Sequence, residues 1–129
     1  MSIEEFMIDK LGQALSPTPV LVEEPEDNPR PSASPKEFYV LQKTGSNWND
    51  HLISSTIAIQ SYAGTKLRTI QMNEVLKRAV DDLLAFNEIA RIELNSDYDF
   101  TDTTTKQPRY QAVFVITHYD LGLYEVRGE

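Results

Sequence analysis

The sequence predicts an α+β fold, a mostly antiparallel β-sheet of four to five strands with two amphipathic helices packed on one face. Two segments carry apolar residues at the three- and four-residue spacing of a helix, one near the N-terminus and one in the middle of the chain. Other segments alternate apolar and polar residues, as strands with one buried face do. A sheet with both helices on one face buries both apolar stripes. The predicted order of elements is α-β-β-β-α-β-β.

Composition narrows the class of protein. The 129 residues fit one ordinary domain, which we assign to residues 1–119, with a C-terminal tail over residues 120–129. The 20 acidic and 12 basic residues give a net charge of -8, which argues against free binding to nucleic acid, because phosphates require a basic face. The absence of cysteine excludes disulfides and thiolate metal sites. No apolar run approaches the ~20 residues that cross a bilayer, so we expect no membrane contact.

The first helix is predicted over residues 2–15. Ser2 and Glu5 match a capping box, in which each side chain accepts from a free backbone N–H at the helix start. Two prolines follow the helix and end it, and residues 20–22 form a short strand. The apolar stripe of this helix comprises Ile3, Phe6, Met7, Leu11, Ala14 and Leu15.

Residues 23–36, EEPEDNPRPSASPK, are predicted to form a Pro-rich acidic loop or arm, because they contain four prolines and no large apolar residue. Two interpretations stay open. The segment is either a solvated connection or an extended arm that becomes ordered on a neighbouring subunit, since Pro-rich chains lose less entropy when they dock. Its acidic cluster is either solvated surface or a rim or lumen lining that repels DNA. The cluster comprises Glu23, Glu24, Glu26 and Asp27.

Two strands over residues 37–44 and 51–62 favour an antiparallel hairpin. In the first strand Phe38 and Val40 occupy one face, with Tyr39 and Leu41 on the other. The polar segment KTGSNWND, residues 43–50, is predicted to be the hairpin tip. It contains the only tryptophan of the chain, although a tryptophan normally buries a large apolar body.

The second half of the chain repeats the pattern. We predict a helix over residues 65–86, a strand over residues 89–100, a turn over residues 101–108 and a last strand over residues 109–119. The apolar helix stripe comprises Met72, Val75, Leu76, Ala79, Val80 and Leu83, and one face of the first of these strands comprises Ile92, Leu94, Tyr98 and Phe100.

No pattern of catalytic residues is found. His51 and His118 fall on predicted strands, and no Ser-His-Asp or HExxH arrangement includes them. The carboxylates of Asp97, Asp99 and Asp102 resemble a calcium loop, but the sixth position is Asp102, where the sharp turn of such a loop requires glycine. We therefore predict a protein that is not an enzyme and has no cofactor and no metal site.

The middle of the chain resembles a known family. The segments NPRPSASP, FYVLQKTG, TIAIQSYA and AVDDLL, in this order, are similar to those of the small tail-terminator proteins of long-tailed bacteriophages (siphophages), also called tail-completion or head–tail joining proteins. The resemblance spans residues 29–119. Many relatives carry a second glycine after Thr44-Gly45, where this chain has Ser46, a residue that also tolerates turns.

The resemblance implies a virion structural protein, assembled in the host cytoplasm and located at the head-proximal end of the tail. Such proteins form a hexameric ring that caps the tail tube, stops its polymerisation and provides the surface that joins the head. The implied partners are further copies of the chain, the tail tube protein and a head-completion or neck protein. DNA passes through the lumen without specific binding.

A ring requires two different patches on each subunit to meet, and loops and arms are suited to supply them. We therefore expect Trp48 to anchor a contact between subunits, since tryptophan is enriched among interface hot spots; the alternative is that Trp48 packs on its own domain. Three other functions stay open: a head-closure or neck component, an acidic non-enzymatic protein-binding module, and a hydrolase with an unrecognised site. The candidate contact residues are Arg30, Asn47, Trp48, Asn49, Lys106 and Arg109.

Overall fold

The computed structural model describes residues 1–23 and 37–121. The predicted α+β fold is confirmed: five strands form one sheet in the order β1-β2-β3-β5-β4, with a parallel β1–β2 pair and antiparallel pairs elsewhere. The elements are α1 (Ile3–Ala14), β1 (Val20–Leu21), β2 (Phe38–Asn49), β3 (Leu52–Tyr62), α2 (Lys66–Asp81) followed by a 3₁₀ turn (Asp82–Ala85), β4 (Ile89–Asp99) and β5 (Arg109–Tyr119).

Helix α1 begins at the predicted capping box. The Ser2 hydroxyl accepts from the Glu5 backbone N–H at 3.1 Å, and the Glu5 carboxylate accepts from the Ser2 N–H at 3.0 Å. The predicted stripe faces the core except at Ala14, which is exposed because the helix ends there. The buried residues of this segment are Ile3, Phe6, Met7, Leu11 and Leu15.

Thr65 caps the start of helix α2, and its hydroxyl accepts from the Arg68 N–H. The predicted stripe is correct except at Val75, which is 53% exposed, while the polar side chains of Thr69 and Asn73 are buried instead. Within the described residues, no helix combines the length and the apolar character needed to cross a membrane.

Both helices pack on the same face of the sheet, as predicted, and the main hydrophobic core lies between them and that face. The alternation predicted for β2 is confirmed: Tyr39 and Leu41 point into this core, whereas Phe38 and Val40 point to the other face. On that other face the rings of Phe38 and Tyr62 stack with centroids 4.6 Å apart. The sheet residues of the main core are Val20, Tyr39, Leu41, Ile57, Ile59, Ile89, Ala112, Phe114 and Ile116.

The predicted hairpin tip is wrong. Strand β2 continues through residues 43–49, and Asn49 pairs directly with Leu52. The turn consists of Asp50 and His51, with Asp50 at a φ of 58°, the left-handed conformation that Asp tolerates and that two-residue hairpin turns require. A β-bulge between Lys43 and Gly45 shifts the pairing with β3 by one residue. The segment KTGSNWND is therefore mostly strand.

The face predicted for β4 is also wrong in its second half. Ile92 and Leu94 lie opposite Ile116 and Phe114 on the helix side. A second bulge between Leu94 and Ser96 shifts the alternation by one residue. As a result Tyr98 pairs with Gln111 on the face away from the helices.

Candidate functional site

The distal half of β2 forms an open sheet edge. Strand β1 pairs only with Tyr39 and Val40, so residues 42–49, which we call the β2 edge, have no outer partner strand in the part of the chain that the structure describes. Every residue of this edge is exposed. An exposed strand edge presents a row of backbone N–H and C=O groups that another chain can pair with.

Trp48 lies on the β2 edge and is 63% exposed. It pairs with Ile53 on β3, so its side chain is on the helix side of the sheet. There it borders a recess of about 160 Å³ whose other lining residues include Lys43, Ser55 and His118. Trp48 therefore contacts its own domain along one side only and leaves most of the indole in solvent, which agrees better with the interface interpretation than with a core tryptophan.

The recess contains a buried Ser–His pair. The Nε2 of His118 lies 2.8 Å from the Ser55 hydroxyl, and its Nδ1 lies 2.9 Å from the Tyr119 carbonyl oxygen. Because a carbonyl only accepts, Nδ1 carries the proton and the Ser55 hydroxyl donates to Nε2. Burial lowers the pKa of His118 below its ordinary value of 6.5, so the imidazole is neutral at pH 7.

This pair has the contact between hydroxyl and base that nucleophilic catalysis uses. However, Ser55 is only 1% exposed, and the two side chains bridge adjacent strands inside the sheet. The bond therefore satisfies two buried polar groups and links β3 to β5. His51, by contrast, is exposed in the hairpin turn and not on a strand.

The second predicted contact region is the segment before β5. Arg109 donates through Nε to the Phe100 carbonyl at 2.6 Å, and its guanidinium lies 4.6 Å from the centre of the Phe100 ring. It also donates to the Tyr62 hydroxyl at 3.2 Å. Arg109 thus closes the loop over residues 100–108, whereas Lys106 is exposed on this loop with a φ of 62°.

The two predicted contact regions lie at opposite ends of the sheet. On β3 and β5, Leu52 pairs with Tyr119 next to the hairpin turn, and Tyr62 pairs with Arg109 at the far end. Strand β3 has 11 residues, which corresponds to ~33 Å at ~3.3 Å per residue. The structure therefore does not bring Trp48 and Arg109 into one site.

The acidic residues predicted for a rim or lumen are described only in part. Glu23 is exposed at the end of the first described segment. Glu24, Glu26 and Asp27, together with the predicted contact residue Arg30, lie outside the described residues. Among the residues that are described, no group of three or more His, Asp or Glu side chains is placed to hold a metal ion.

An open groove runs between α2 and β4, and the sequence did not predict it. The groove has a volume of about 530 Å³, and we call it the α2–β4 groove. Leu94, predicted to face the core, is 46% exposed, because α2 packs over β3 and β5 and leaves the edge strand β4 partly uncovered. The floor consists of Ile92, Leu94 and Phe114, and the rim of Glu74, Lys77, Arg78, Asp81 and Asp82.

A polar link holds β4 against α2 beside this groove. The Asp97 carboxylate accepts from the Lys77 Nζ and from the Asn73 Nδ2, each at 2.9 Å. The hydrogen bond with Lys77 holds the pKa of Asp97 below its ordinary value of 3.8. Lys77 also pairs with Glu74 at 2.7 Å. Of the carboxylates whose spacing resembles a calcium loop, Asp97 is therefore bonded to α2, and Asp99 accepts from the Thr101 hydroxyl.

Comparison of the chain with protein-family profiles and with characterised proteins gives no match.

Proposed function

We propose that this chain is a structural protein of a long-tailed bacteriophage, a tail terminator whose hexameric ring caps the tail tube and provides the head–tail joining surface. The proposal starts from the sequence resemblance over residues 29–119. The structural observation that supports it most is Trp48, 63% exposed on an open sheet edge. Such an edge is a template for pairing with another chain, and tryptophan is among the commonest interface hot spots.

The arrangement of the remaining surfaces is compatible with a ring that stacks between two partners. The hairpin turn and the loop over residues 100–108 lie at opposite ends of β3 and β5, and each end is available for a different partner. In this proposal one end contacts the tail tube protein and the other a head-completion or neck protein. The acidic balance of the chain, a net charge of -8, favours passage of DNA over adhesion to it, because like charges repel.

Solution mass, measured by light scattering behind a sizing column across protein concentration, is the first test. We expect a species near six times 14.7 kDa, and this result would exclude a small monomeric regulator. The second test adds the protein to purified tail tubes and measures by electron microscopy whether one end is capped and elongation stops.

The two measurements separate the candidate functions. A chain that stays monomeric and caps no tube would contradict the proposal and favour the acidic binding module, whose binding to a basic partner would weaken with salt. A ring that binds the head connector and ignores the tube would instead favour the neck component.

A further inference from the structure

We propose that neighbouring copies of this chain pair edge to edge, with the β2 edge of one copy along β4 of the next and Trp48 seated in that next copy's α2–β4 groove. The inference deepens the proposed function, because it takes self-assembly as its premise and names the two surfaces that meet. It also specifies the occupant of the groove, which is a second copy of this chain.

The sheet topology provides two open edges of opposite direction. Strand β2 beyond residue 41 and the whole of β4 are the outer strands of the described sheet. Each neighbouring pair from β2 through β3 and β5 to β4 is antiparallel, so β2 and β4 run in opposite directions. Copies related by rotation about an axis inclined to the strands would therefore bring β2 beside β4 as an antiparallel pair, the more stable arrangement of the two. Trp48 is level with Ile89 in its own sheet, so the inclination has to shift it along β4 of the next copy to the level of Leu94, as strand tilt does in closed barrels.

The two edges also match in side-chain orientation. Trp48 points to the helix side of its sheet, since it pairs with the buried Ile53. In a sheet that continues into the next copy, the indole would stand on the helix side of β4, where Ile92 and Leu94 form the floor of the groove. Cross-strand neighbours on one face of a sheet are close enough for such side chains to touch. One contact would thus cover two of the exposed large apolar side chains, Trp48 at 63% and Leu94 at 46% exposed.

Charge favours this pairing of unlike edges over pairing of like edges. Residues 42–49 contain one basic residue, Lys43, and no acidic residue. Strand β4 carries three acidic residues against one basic residue, a balance of -2. Each acidic side chain of β4 already has a basic partner within its own copy, with Arg91 beside Glu93, Lys77 beside Asp97 and Lys66 beside Asp99. The charge contribution is therefore small, but its sign favours β2 against β4 over two like edges. A contact between unlike patches closes into a ring when its rotation permits. The charged residues of β4 are Arg91, Glu93, Asp97 and Asp99.

The first experiment uses Trp48 as the reporter, because it is the only tryptophan in the chain. We expect its emission to shift to the blue as protein concentration rises, in parallel with the mass measured by light scattering. Trp48→Ala and Leu94→Asp should each weaken self-association by about tenfold or more. The control Leu67→Asp makes the same change at a residue that is 65% exposed and does not line the groove, and we expect it to leave association unchanged.

Complementation then tests whether the contact joins unlike patches. A Trp48→Ala copy keeps its groove and a Leu94→Asp copy keeps its tryptophan, so an equimolar mixture should form dimers through one intact interface although neither variant associates alone. If the mixture shows no such dimers, the inference is overturned. Should Leu94→Asp fail to fold by circular dichroism, Leu94→Ser replaces it.

Charge variants at one exposed β2-edge position give an independent test. Asn47→Lys should strengthen self-association and Asn47→Asp should weaken it, because the facing strand is acidic. The opposite result, strengthening by Asn47→Asp and weakening by Asn47→Lys, would indicate pairing of two β2 edges, each of which carries Lys43, and would overturn the inference.

The outcomes also distinguish this inference from the proposed function. A hexamer unaffected by Trp48→Ala and Leu94→Asp would retain the ring and refute the edge contact. Association through this contact with no capping of tail tubes would support the contact and refute the tail terminator. A chain that stays monomeric up to about 1 mM, where a Kd corresponds to a binding free energy of only about -4 kcal/mol, would refute the contact.

Discussion

The polar link at Asp97 gives the sharpest stability prediction. Asp97→Ala removes two charge-assisted hydrogen bonds and leaves the amide of Asn73, a residue only 2% exposed, without its acceptor. A buried donor without an acceptor lowers the free energy of unfolding by about 1–3 kcal/mol. Loss of the half-buried ion pair with Lys77 adds less than about 1 kcal/mol after solvent screening. We therefore expect a loss of about 2 kcal/mol, or roughly 5–10 °C in Tm for a domain of this size.

Urea unfolding followed by circular dichroism at pH 7 measures this loss, with Asp99→Ala as the matched control. Asp99 lies two residues further along β4, pairs with Lys66 at 3.3 Å and accepts from the Thr101 N–H and hydroxyl. These partners are exposed and water can replace Asp99, so the loss should stay below about 1 kcal/mol. Equal losses for the two variants would refute the reasoning. In an Asn73→Ala background, Asp97→Ala should cost less unfolding free energy, because the two residues are coupled. A loss there as large as in the natural chain would also refute the reasoning.

The same link has a defined pH dependence. Because the folded-state pKa of Asp97 lies below 3.8, the stabilisation is present above pH 3.8 and is lost as pH falls through the folded value. The difference between the natural chain and Asp97→Ala should therefore shrink in acid. A difference that stays constant down to pH 2 would contradict an ionic contribution.

Three further predictions concern the core and the helix start. Tyr39→Phe should cost about 1 kcal/mol in urea unfolding, because the buried hydroxyl donates to the Met72 carbonyl at 3.0 Å and burial raises the pKa of Tyr39 to about 12; a neutral result would show that the bond adds nothing. Since burial lowers the pKa of His118 below 6.5, the unfolded chain binds the proton first, and stability should fall as pH drops below 6.5, by at most about 1.4 kcal/mol per pH unit. His118→Gln should abolish that slope, and a slope that persists would assign it to another group. Ser2→Ala should lower the free energy of unfolding by about 1 kcal/mol in thermal unfolding, because it removes the cap of α1. An unchanged stability would show that the start of the helix is frayed.

The elements with one buried face could be predicted from the sequence. Strand β5 has the predicted limits, Arg109–Tyr119, and the alternation of Phe38 to Leu41 is correct, because residues of one face share one environment. The capping box at Ser2 was also predictable, since it depends on residues three positions apart.

The candidate site was predicted less well, and the physical reason lies in exposure. Residues 43–49 are exposed on both faces of β2, so they show no alternation, and their polar side chains resemble a turn. Trp48 was correctly singled out as unusual, but its place on a strand edge depends on pairing with Ile53. The groove floor was missed because Leu94 has the pattern of a core residue, and only the position of α2 leaves it uncovered.

By itself the sequence determined the fold class, both helices, the faces of the buried strands and the absence of thiol chemistry. These features follow from local spacing and from residue types. Three features follow only from the tertiary structure: where β2 turns, which strands lie at the sheet edges, and how far α2 leaves β4 uncovered. Those features depend on pairings between residues far apart in the chain and on two bulges, each of which shifts the register of a strand. The surfaces proposed for assembly belong to this second group, because an edge or a groove exists only once every other strand has its neighbour.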